Sequence, residues 1–499
     1  MQVQGLPELI VRLGDRRLAP ADTARIISIR VSSALAQPTQ CQVSWAADDT
    51  LGVDPGTGDA LRIEIGGHRE PLFVGEVTVV EYSYRADTGR QLRIRAYDAL
   101  HRLRKRQFTR LLDATDLRGV TEALAADTGL SVEAPSDPVG TVYQVARSDL
   151  DQLVEVSSRH GHYPVVWDGT LKLVQVAGEG EPVSVMYGST LHAAEIEVSA
   201  EPAFRSAEAT WWDAASTQAG AANVAESGAA ALVRADAAPT RTGGGGALLR
   251  HDDLREGSAA EPRSLAGAEL DVRRLGEVTA VLVAEGNPLL QAGRRIKVEG
   301  VRAPVEGTYA ITEAVHEISV TGYETTVTSR PPAAPRPRKP DQVTLGVVTD
   351  VADPEDRARV RVRLPAYPDL VSGWAPVVLP AAGAGKGVVA LPDVDDHVLV
   401  LLPGHDPAQA IVLGGLYGTE SPPSPPDERG TTTLVRTRDG QQVVLDGKGH
   451  VLSLTDGHGS SVELGPSLLR ITAATDLLIE APGRALRVRA KTVDFEEAP

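Results

Sequence analysis

Hydrophobic and polar residues alternate with a period of two over much of the chain, which is the pattern of half-buried β-strands. The alternation is dense in residues 343–418, where runs such as Val360–Leu364 are separated by clusters rich in Gly, Pro and Asp. About five short strands with no room for a long helix predict a small closed antiparallel barrel, of the oligonucleotide/oligosaccharide-binding (OB) type.

Two longer strand-rich segments precede this barrel. Residues 1–98 alternate in the same way and are predicted to form an antiparallel barrel or sandwich, and residues 185–330 return to strand character. Between them, in residues 100–165, the apolar spacing becomes helical. One helix is expected to begin after Asp116, a candidate N-cap, and a second to run from Ser148 to Gly161.

Regions of biased composition divide these segments. Residues 214–260 are rich in Ala and Gly, contain the run Gly243–Gly246, and predict a long polar loop. The glycine run lacks the Lys-Ser/Thr that a nucleotide-phosphate loop requires. Two proline-rich stretches, residues 331–342 and 419–430, predict stiff spacers on either side of the barrel.

Pairs of apolar residues two positions apart recur every seven to ten residues in the last segment, residues 431–499. Strands that reverse this often form a ribbon about 15–20 Å wide with one apolar face. Because an isolated meander is marginal in water, we expect three copies to wind into a β-helix that buries the pairs. The alternative is a monomeric strand-rich appendage covered by another surface. The predicted core residues are Val443, Leu445, Leu452, Leu454, Val462, Leu464, Leu469, Ile471, Leu477, Ile479, Leu486 and Val488, followed by a last pair, Val493 and Phe495.

Composition narrows the functional classes. A formal net charge of −17 and 4% aromatic residues argue against a nucleic-acid binder that uses phosphate contacts and base stacking. Cys41 is the single cysteine, which excludes an intrachain disulfide and a cysteine-based zinc site. The first residues show no secretory signal and no apolar run reaches 18 residues, so we expect a protein made in the cytoplasm.

Two clusters of titratable residues could carry chemistry. The basic run His101–Arg106 is interpreted as a solvated helix face or an acidic-subunit contact, with a binding patch as the alternative. His160 and His162 lie near a helix end without further ligands, so a metal site is not predicted there. No metalloprotease, esterase or triad-like motif is present, and no cofactor is expected.

The barrel contains, in this order, the motifs Gly346-x-Val348-Thr349-Asp350, Asp353-Pro354, Ser372-x-Trp374, Asp406-Pro407 and Val412-Leu413-Gly414-x-Leu416-Tyr417. Taken together, these motifs resemble those of VgrG-type spikes, the hub-and-spike proteins of contractile injection systems and phage tails. Asp395-Asp396-His397 and Gly404-His405-Asp406 depart from the Gly-Asp-Glu and Gly-Asp-Pro usual at these turns. Outside the barrel, Pro71–Val77, His160–Tyr163, Asn287–Leu289 and Arg436–Gly440 resemble the hub and needle of the same family.

The resemblance implies a mainly β protein with two hub barrels, a helical insert, an OB-fold barrel and a C-terminal trimeric β-helix needle. It further implies a homotrimer that joins a six-fold inner tube and baseplate to a three-fold needle. A proline-alanine-alanine-arginine-type (PAAR) tip protein would bind at Val493 and Phe495, a cargo effector is a possible partner, and the target membrane is met only on puncture. The particle would be phage tail-like or type VI-like, virion-like or secreted.

Some relatives carry a peptidoglycan-cleaving domain between barrel and needle, or a toxin after the needle. Here only residues 419–430 lie between the two segments, which are too few for two carboxylates beside a cleft. The resemblance therefore favours a non-catalytic structural protein. The alternatives are an OB-fold nucleic-acid-binding protein and a spike-associated cell-wall hydrolase.

Overall fold

The computed structural model of the chain describes ten stretches. They are residues 8–47, 51–87, 89–204, 206–214, 217–225, 248–255, 260–332, 340–368, 370–423 and 431–496. The chain divides into two compact units, Met1–Gly415 and Leu416–Pro499. The run Gly243–Gly246 and most of the two proline-rich stretches lie outside the described residues.

The first strand-rich segment forms seven strands and one short helix. They are β1 Leu9–Leu13, β2 Arg16–Arg17, α1 Pro20–Thr23, β3 Ile26–Ala34, β4 Gln40–Ala46, β5 Ala60–Ile65, β6 Phe73–Arg85 and β7 Gly89–Tyr97. The period-two pattern sets which side faces inward: Leu61, Ile63 and Ile65 are buried, whereas Arg62 and Glu64 between them are part-exposed and form an ion pair at 2.7 Å.

The insert that follows begins with a 3₁₀ turn, Ala99–Lys105, and contains two helices. Its elements are β8 Gln107–Leu112, α2 Leu117–Ala125, β9 Ser131–Glu133, β10 Val142–Ser148, α3 Asp149–Arg159, β11 His162–Trp167 and β12 Thr170–Gln175. Both predicted helices and the predicted Asp116 cap are confirmed, and Ser148 caps the second helix. The Asp116 carboxylate accepts the Gly119 N–H at 2.8 Å, and the Ser148 hydroxyl accepts the Asp151 N–H at 3.0 Å.

The second strand-rich segment contains ten further strands and a long helix. They are β13 Val183–Met186, β14 Leu191–Val198, β15 Ser206–Asp213, β16 Gln218–Val224, β17 Leu248–Arg255, α4 Ala260–Leu275, β18 Val278–Glu285, β19 Arg295–Glu299, β20 Gly307–Ala310, β21 Glu313–Ser319 and β22 Gly322–Thr328. The three-stranded sheets are β16-β15-β17, β13-β19-β20 and β11-β12-β9, and β8 pairs with β10.

The predicted long loop over residues 214–260 is therefore wrong where the structure describes it, since β16 and β17 lie there and α4 begins at its end. Alanines on either side of the predicted loop have a packing role. Ala207 and Ala209 of β15 are fully buried against Ala266 and Leu270 of α4. Small side chains let the helix approach the sheet closely.

One antiparallel sheet of eleven strands joins the two strand-rich segments, in the order β14-β18-β22-β21-β3-β4-β7-β6-β5-β1-β2. The joint is the pairing of β21 with β3, where Ile318 lies opposite Ile29. Ile318 and Tyr323 of the second segment belong to the first segment's apolar core. The two strand-rich segments thus share one continuous sheet.

The barrel, residues 343–418, has six strands in the order β25-β24-β23-β27-β28, with β26 also paired to β24. They are β23 Gln342–Asp350, β24 Arg359–Leu364, β25 Leu370–Val371, β26 Ala375–Pro376, β27 His397–Leu402 and β28 Ile411–Gly415. Gly346 faces the core, where an added Cβ would lie 2.2 Å from Val362 Cγ1, so the strand crossing requires glycine.

A buried ion pair closes the turn between β23 and β24. Arg359 donates from Nε to Asp353 Oδ2 at 2.9 Å and from Nη2 to Oδ1 at 2.7 Å. Asp353 also accepts the backbone N–H groups of Glu355 and Arg357. These donors, the Arg359 guanidinium first, hold the pKa of Asp353 well below its usual range.

The barrel is packed against the insert. Tyr143 and Val145 of β10 belong to the same buried apolar cluster as the barrel residues Val360 and Leu370. The Tyr143 hydroxyl also donates to the Val371 carbonyl at 3.1 Å. The sequence predicts only a spacer between hub and barrel, whereas the described residues also meet through side-chain packing.

The last unit contains five strands, here called the ribbon, Thr432–Thr472. They are β29 Thr432–Arg436, β30 Gln442–Asp446, β31 Val451–Thr455, β32 Ser461–Leu464 and β33 Leu469–Thr472. Across the described stretches, the structure contains no helix that is both long and apolar enough to span a membrane.

Candidate functional site

The ribbon is an antiparallel meander whose turns are built from aspartates and glycines. Asp446 accepts the N–H groups of Lys448 and Gly449 at 2.9 and 3.0 Å. Asp456 accepts those of His458 and Ser460 at 2.7 and 3.0 Å, and the hydrogen bond from His458 lowers its pKa. These hydrogen bonds from turn N–H groups to aspartate side chains let the chain reverse direction after each strand of four or five residues.

The register of the meander aligns the predicted apolar pairs in two columns on one face, because residues directly opposite in a ladder share a face. One column is Leu445, Leu452, Leu464 and Leu469, and the other is Val443, Leu454, Val462 and Ile471. The opposite face is mixed, since Val444, Ser453, Glu463 and Arg470 lie across from one another.

This apolar face is open in the single chain. Leu454 and Leu464 are 41% and 40% exposed, and Leu469 and Ile471 are 59% and 56% exposed. The two adjacent columns form a contiguous apolar patch, the kind of surface that marks an interaction site. Val443, Leu452 and Val462 are half-buried in it, and the other five side chains are exposed. The predicted burial of these pairs between copies stays a prediction.

The sequence reasoning missed one more member of the face. Val435 of β29 lies opposite Val443 and is 59% exposed, and it therefore extends the second column by one strand. The sequence contains a sign of this strand, because Thr433 and Val435 stand two positions apart, as the members of the later pairs do.

The strands of the last three pairs stay a prediction, because they are expected in an assembly of three copies. Between residues 473 and 496 the structure contains no strand. Leu477, Ile479, Leu486 and Val488 are all at least 60% exposed, and Phe495 at the end is 94% exposed. A single chain offers these segments no neighbouring strand with which to pair.

The basic run His101–Arg106 is engaged within its own chain. Arg102 forms an ion pair with Glu76 and donates to the Thr128 carbonyl, and its hydrogen bond lowers the pKa of Glu76. Arg106 Nε lies 2.9 Å from the buried carboxylate of Asp149. Arg102, Arg104 and Lys105 are exposed, as expected for a solvated face, whereas Arg106 is half-buried. The subunit contact stays a prediction.

The two histidines near the end of α3 show no metal geometry. His162 Nδ1 lies 3.9 Å from Asp137 Oδ2. In the stretches that the structure describes, no group of three or more His, Cys, Asp or Glu side chains is arranged to hold a metal ion. The most distinctive feature of the described surface is thus the apolar face of the ribbon.

Comparison with known families gives two matches. Residues 344–417 match the family described as the type VI secretion system/phage-baseplate injector OB domain. Residues 45–320, more than half of the 499 residues, match the family described as the Alg8 N-terminal domain. No curated protein matches the chain.

Solved structures share the fold. The Francisella PdpA-VgrG complex matches with a TM-score of 0.54 at 9% identity, covering 95% of this chain and 81% of that chain. The E. coli c3393 protein, a component of the type VI secretion system, matches with a TM-score of 0.52 at 13% identity, covering 82% of this chain and 99% of that chain. That protein is itself described as similar to the T4 bacteriophage tail proteins gp27 and gp5. At these identities the likeness concerns the fold.

Proposed function

The chain belongs to the Alg8 N-terminal domain family and is a VgrG-type spike protein with a structural role in a baseplate or spike, and from this premise we propose that it is the trimeric hub-and-spike of a contractile injection system. In this role residues 1–330 form the hub on the six-fold inner tube, and residues 431–499 form a three-fold needle that punctures the target envelope.

The observation that carries the proposal is the open apolar face of the ribbon. Its two aliphatic columns have a spacing that three copies can repeat about one axis, which would bury every column against its equivalents. Burying a Leu or Ile side chain fully contributes about 1.5–3 kcal/mol, so each half-exposed member adds about 1 kcal/mol to assembly. Three chains would also supply neighbouring strands to residues 473–496.

The two strand-rich segments of the proposed hub support a match between three chains and a six-fold tube. Each chain has two strand-rich segments that share one sheet through β3 and β21, so three chains present six such units. Six similar units match the terminal ring of a six-fold tube, and a single chain type then connects six-fold and three-fold partners. Val493 and Phe495 would receive a PAAR-type tip protein, and a cargo effector could travel with the spike.

We propose a non-catalytic role. The similar structures are components of injection and tail assemblies, and the described surface offers an assembly face as its main feature. Peptidoglycan zymography and salt-dependent oligonucleotide binding should both be negative for the purified protein. A lytic band would replace the proposal with a spike-associated hydrolase, and salt-sensitive binding would replace it with an OB-fold nucleic-acid binder.

The direct test is the mass and shape of the purified particle. Light scattering should give a mass near three times 52.7 kDa, and class-averaged electron micrographs should show a broad hub with one thin needle. A monodisperse monomer at every concentration would contradict the needle.

Deleting residues 431–499 tests the division of labour. The hub should stay folded, because its described core lies within residues 8–332 and the barrel, and it should still co-purify with tube and baseplate proteins. Loss of that co-purification while the hub's melting transition is retained would show that the tube contact is assigned to the wrong part of the chain.

A further inference from the structure

The barrel has a second apolar surface, on the outside of the sheet formed by β23, β27 and β28. Side chains on β27 alternate, with Val398, Val400 and Leu402 pointing into the core at 0% exposure. The intervening residues Leu399 and Leu401 point outward and are also aliphatic. A strand with apolar residues on both sides is typical of a sheet that is covered on both faces.

The neighbouring strands continue this outer apolar face in register. Val343 lies opposite Leu401, and Leu345 lies opposite Leu399. On the other side, Ile411 lies opposite Leu401, and Leu413 occupies the adjacent bulge of β28. Val343 and Leu345 are 50% and 52% exposed, and Leu413 is 38% exposed. We call these six residues, Val343, Leu345, Leu399, Leu401, Ile411 and Leu413, the outer apolar face of the barrel.

The rest of the same barrel shows what a solvent-facing strand of this protein looks like. On β24, Val360, Val362 and Leu364 are buried at 0% exposure, and the outward positions between them are Arg361 and Arg363. The sequence thus places charge outward on β24 and aliphatic side chains outward on three adjacent strands. This difference within one sheet indicates that the outer apolar face is not a solvent surface in the working protein.

We propose that the outer apolar face of each barrel packs against another copy of this chain, so that the barrels form an interface of their own beside that of the needle. The proposal rests on the trimer proposed above and deepens it by naming a second contact between the same partners.

Charge favours a second copy as the occupant. The chain carries a formal net charge of −17, so copies of it repel one another wherever charged surfaces meet. The six residues of the outer apolar face are all uncharged, which lets like-charged copies approach there without pairing charges. Interfaces between identical subunits are also the most apolar class of protein interface.

Chain connection favours it as well. Only residues 416–431 separate the end of β28 from the start of β29. If three chains enter one needle, their barrels are held at the high effective concentration that a short linker imposes, and a modest apolar face then suffices for association.

Cysteine protection in the full-length protein tests this contact. Cys41 is 0% exposed and burial raises the pKa of its thiol, so this native cysteine should not react with a maleimide. The probe is Leu345→Cys, with Leu413→Cys as a second reporter if the first folds poorly. Val320→Cys and Val389→Cys are the controls, since these valines are 80% and 76% exposed.

In the trimer, Leu345→Cys should react at least about tenfold more slowly than either control. In a monomeric Leu454→Asp background the three thiols should react at rates within about threefold of one another. This pair of results would support contact between barrels of different copies.

Three other results overturn the inference and are distinguishable. If the protein is a trimer and Leu345→Cys reacts as fast as both controls, the proposed barrel interface is refuted and the proposed needle is unaffected. Protection that persists in the Leu454→Asp monomer shows that the chain covers its own face. A wild-type protein that is monomeric, with all thiols fast, removes the trimer and the inference together.

Discussion

Leu454→Asp places a carboxylate at the middle of the ribbon's apolar face. Leu454 lies opposite Val443 on one side and Val462 on the other, and it is 41% exposed in the single chain. In a monomer the new carboxylate therefore keeps much of its hydration, and the loss is the partial burial of one leucine, about 1 kcal/mol. The monomeric fold should survive.

In the trimer the same substitution brings three carboxylates to one axis. An unpaired buried charge costs several kcal/mol, so at about 3 kcal/mol per chain the assembly loses about 9 kcal/mol. At about 1.4 kcal/mol per factor of ten, this weakens the overall association constant about a millionfold. Sedimentation velocity over a range of protein concentrations should show monomer for the variant and trimer for the wild type.

Ser453→Asp is the matched control, because it adds the same charge to the same strand on the opposite face. Ser453 lies opposite Glu463, and like charges directly opposite in a sheet cost at most about 1 kcal/mol. The control should remain a trimer. If Leu454→Asp sediments as a trimer with an unchanged melting temperature, Leu454 is exposed in the assembly and the assignment of the ribbon face to the axis is refuted.

Three further predictions concern other parts of the chain. Asp353→Ala removes the bidentate partner of Arg359, which is 7% exposed, and should reduce barrel stability by about 3 kcal/mol in thermal unfolding. The control Glu355→Ala, at a half-exposed position, should change the stability by less than about 1 kcal/mol. Equal effects of the two substitutions would contradict the buried pair. Burial raises the pKa of Asp98 to about 6, so the folded hub holds this proton more tightly than the unfolded chain, and ionisation between about pH 4 and pH 6 lowers stability. Asp98→Asn removes that ionisation, so its melting temperature should rise relative to wild type as the pH goes from 4 to 7, and a constant difference would show that Asp98 ionises normally. Phe495→Ala should abolish capture of a PAAR-type protein in a pull-down while the trimer persists; normal capture would show that the tip contact lies elsewhere.

Short sequence patterns predict the structural features that depend on residues close together in the chain. The helix after Asp116 and the helix after Ser148 begin where a side chain can accept an N–H of the first turn. The ribbon columns follow from a two-residue spacing between Asp-Gly turns, which leaves one register for each hairpin.

What could not be predicted depends on residues far apart in the chain. Tyr143 donates to a carbonyl 228 positions later, and no pattern within residues 100–165 marks it as a partner of the barrel. The pairing of β15 with β17 is parallel and spans a segment whose composition resembles a linker. Burial of Ala207 and Ala266 against each other appears only when both elements are in place. The strands predicted for residues 473–496 would depend in the same way on neighbours that a single chain does not contain.

The contact of Tyr143 and Val145 with the barrel has a mechanical consequence. A flexible or proline-rich connection resists being stretched but buckles when it is pushed. Packed apolar side chains behave in the opposite way, because protein interiors have low compressibility. Compression of the barrel against β10 is therefore resisted by the buried cluster that Tyr143 and Val145 share with Val360 and Leu370. Extension is resisted by the connecting chain. The insert and the barrel are thus connected by packed side chains as well as by the chain itself.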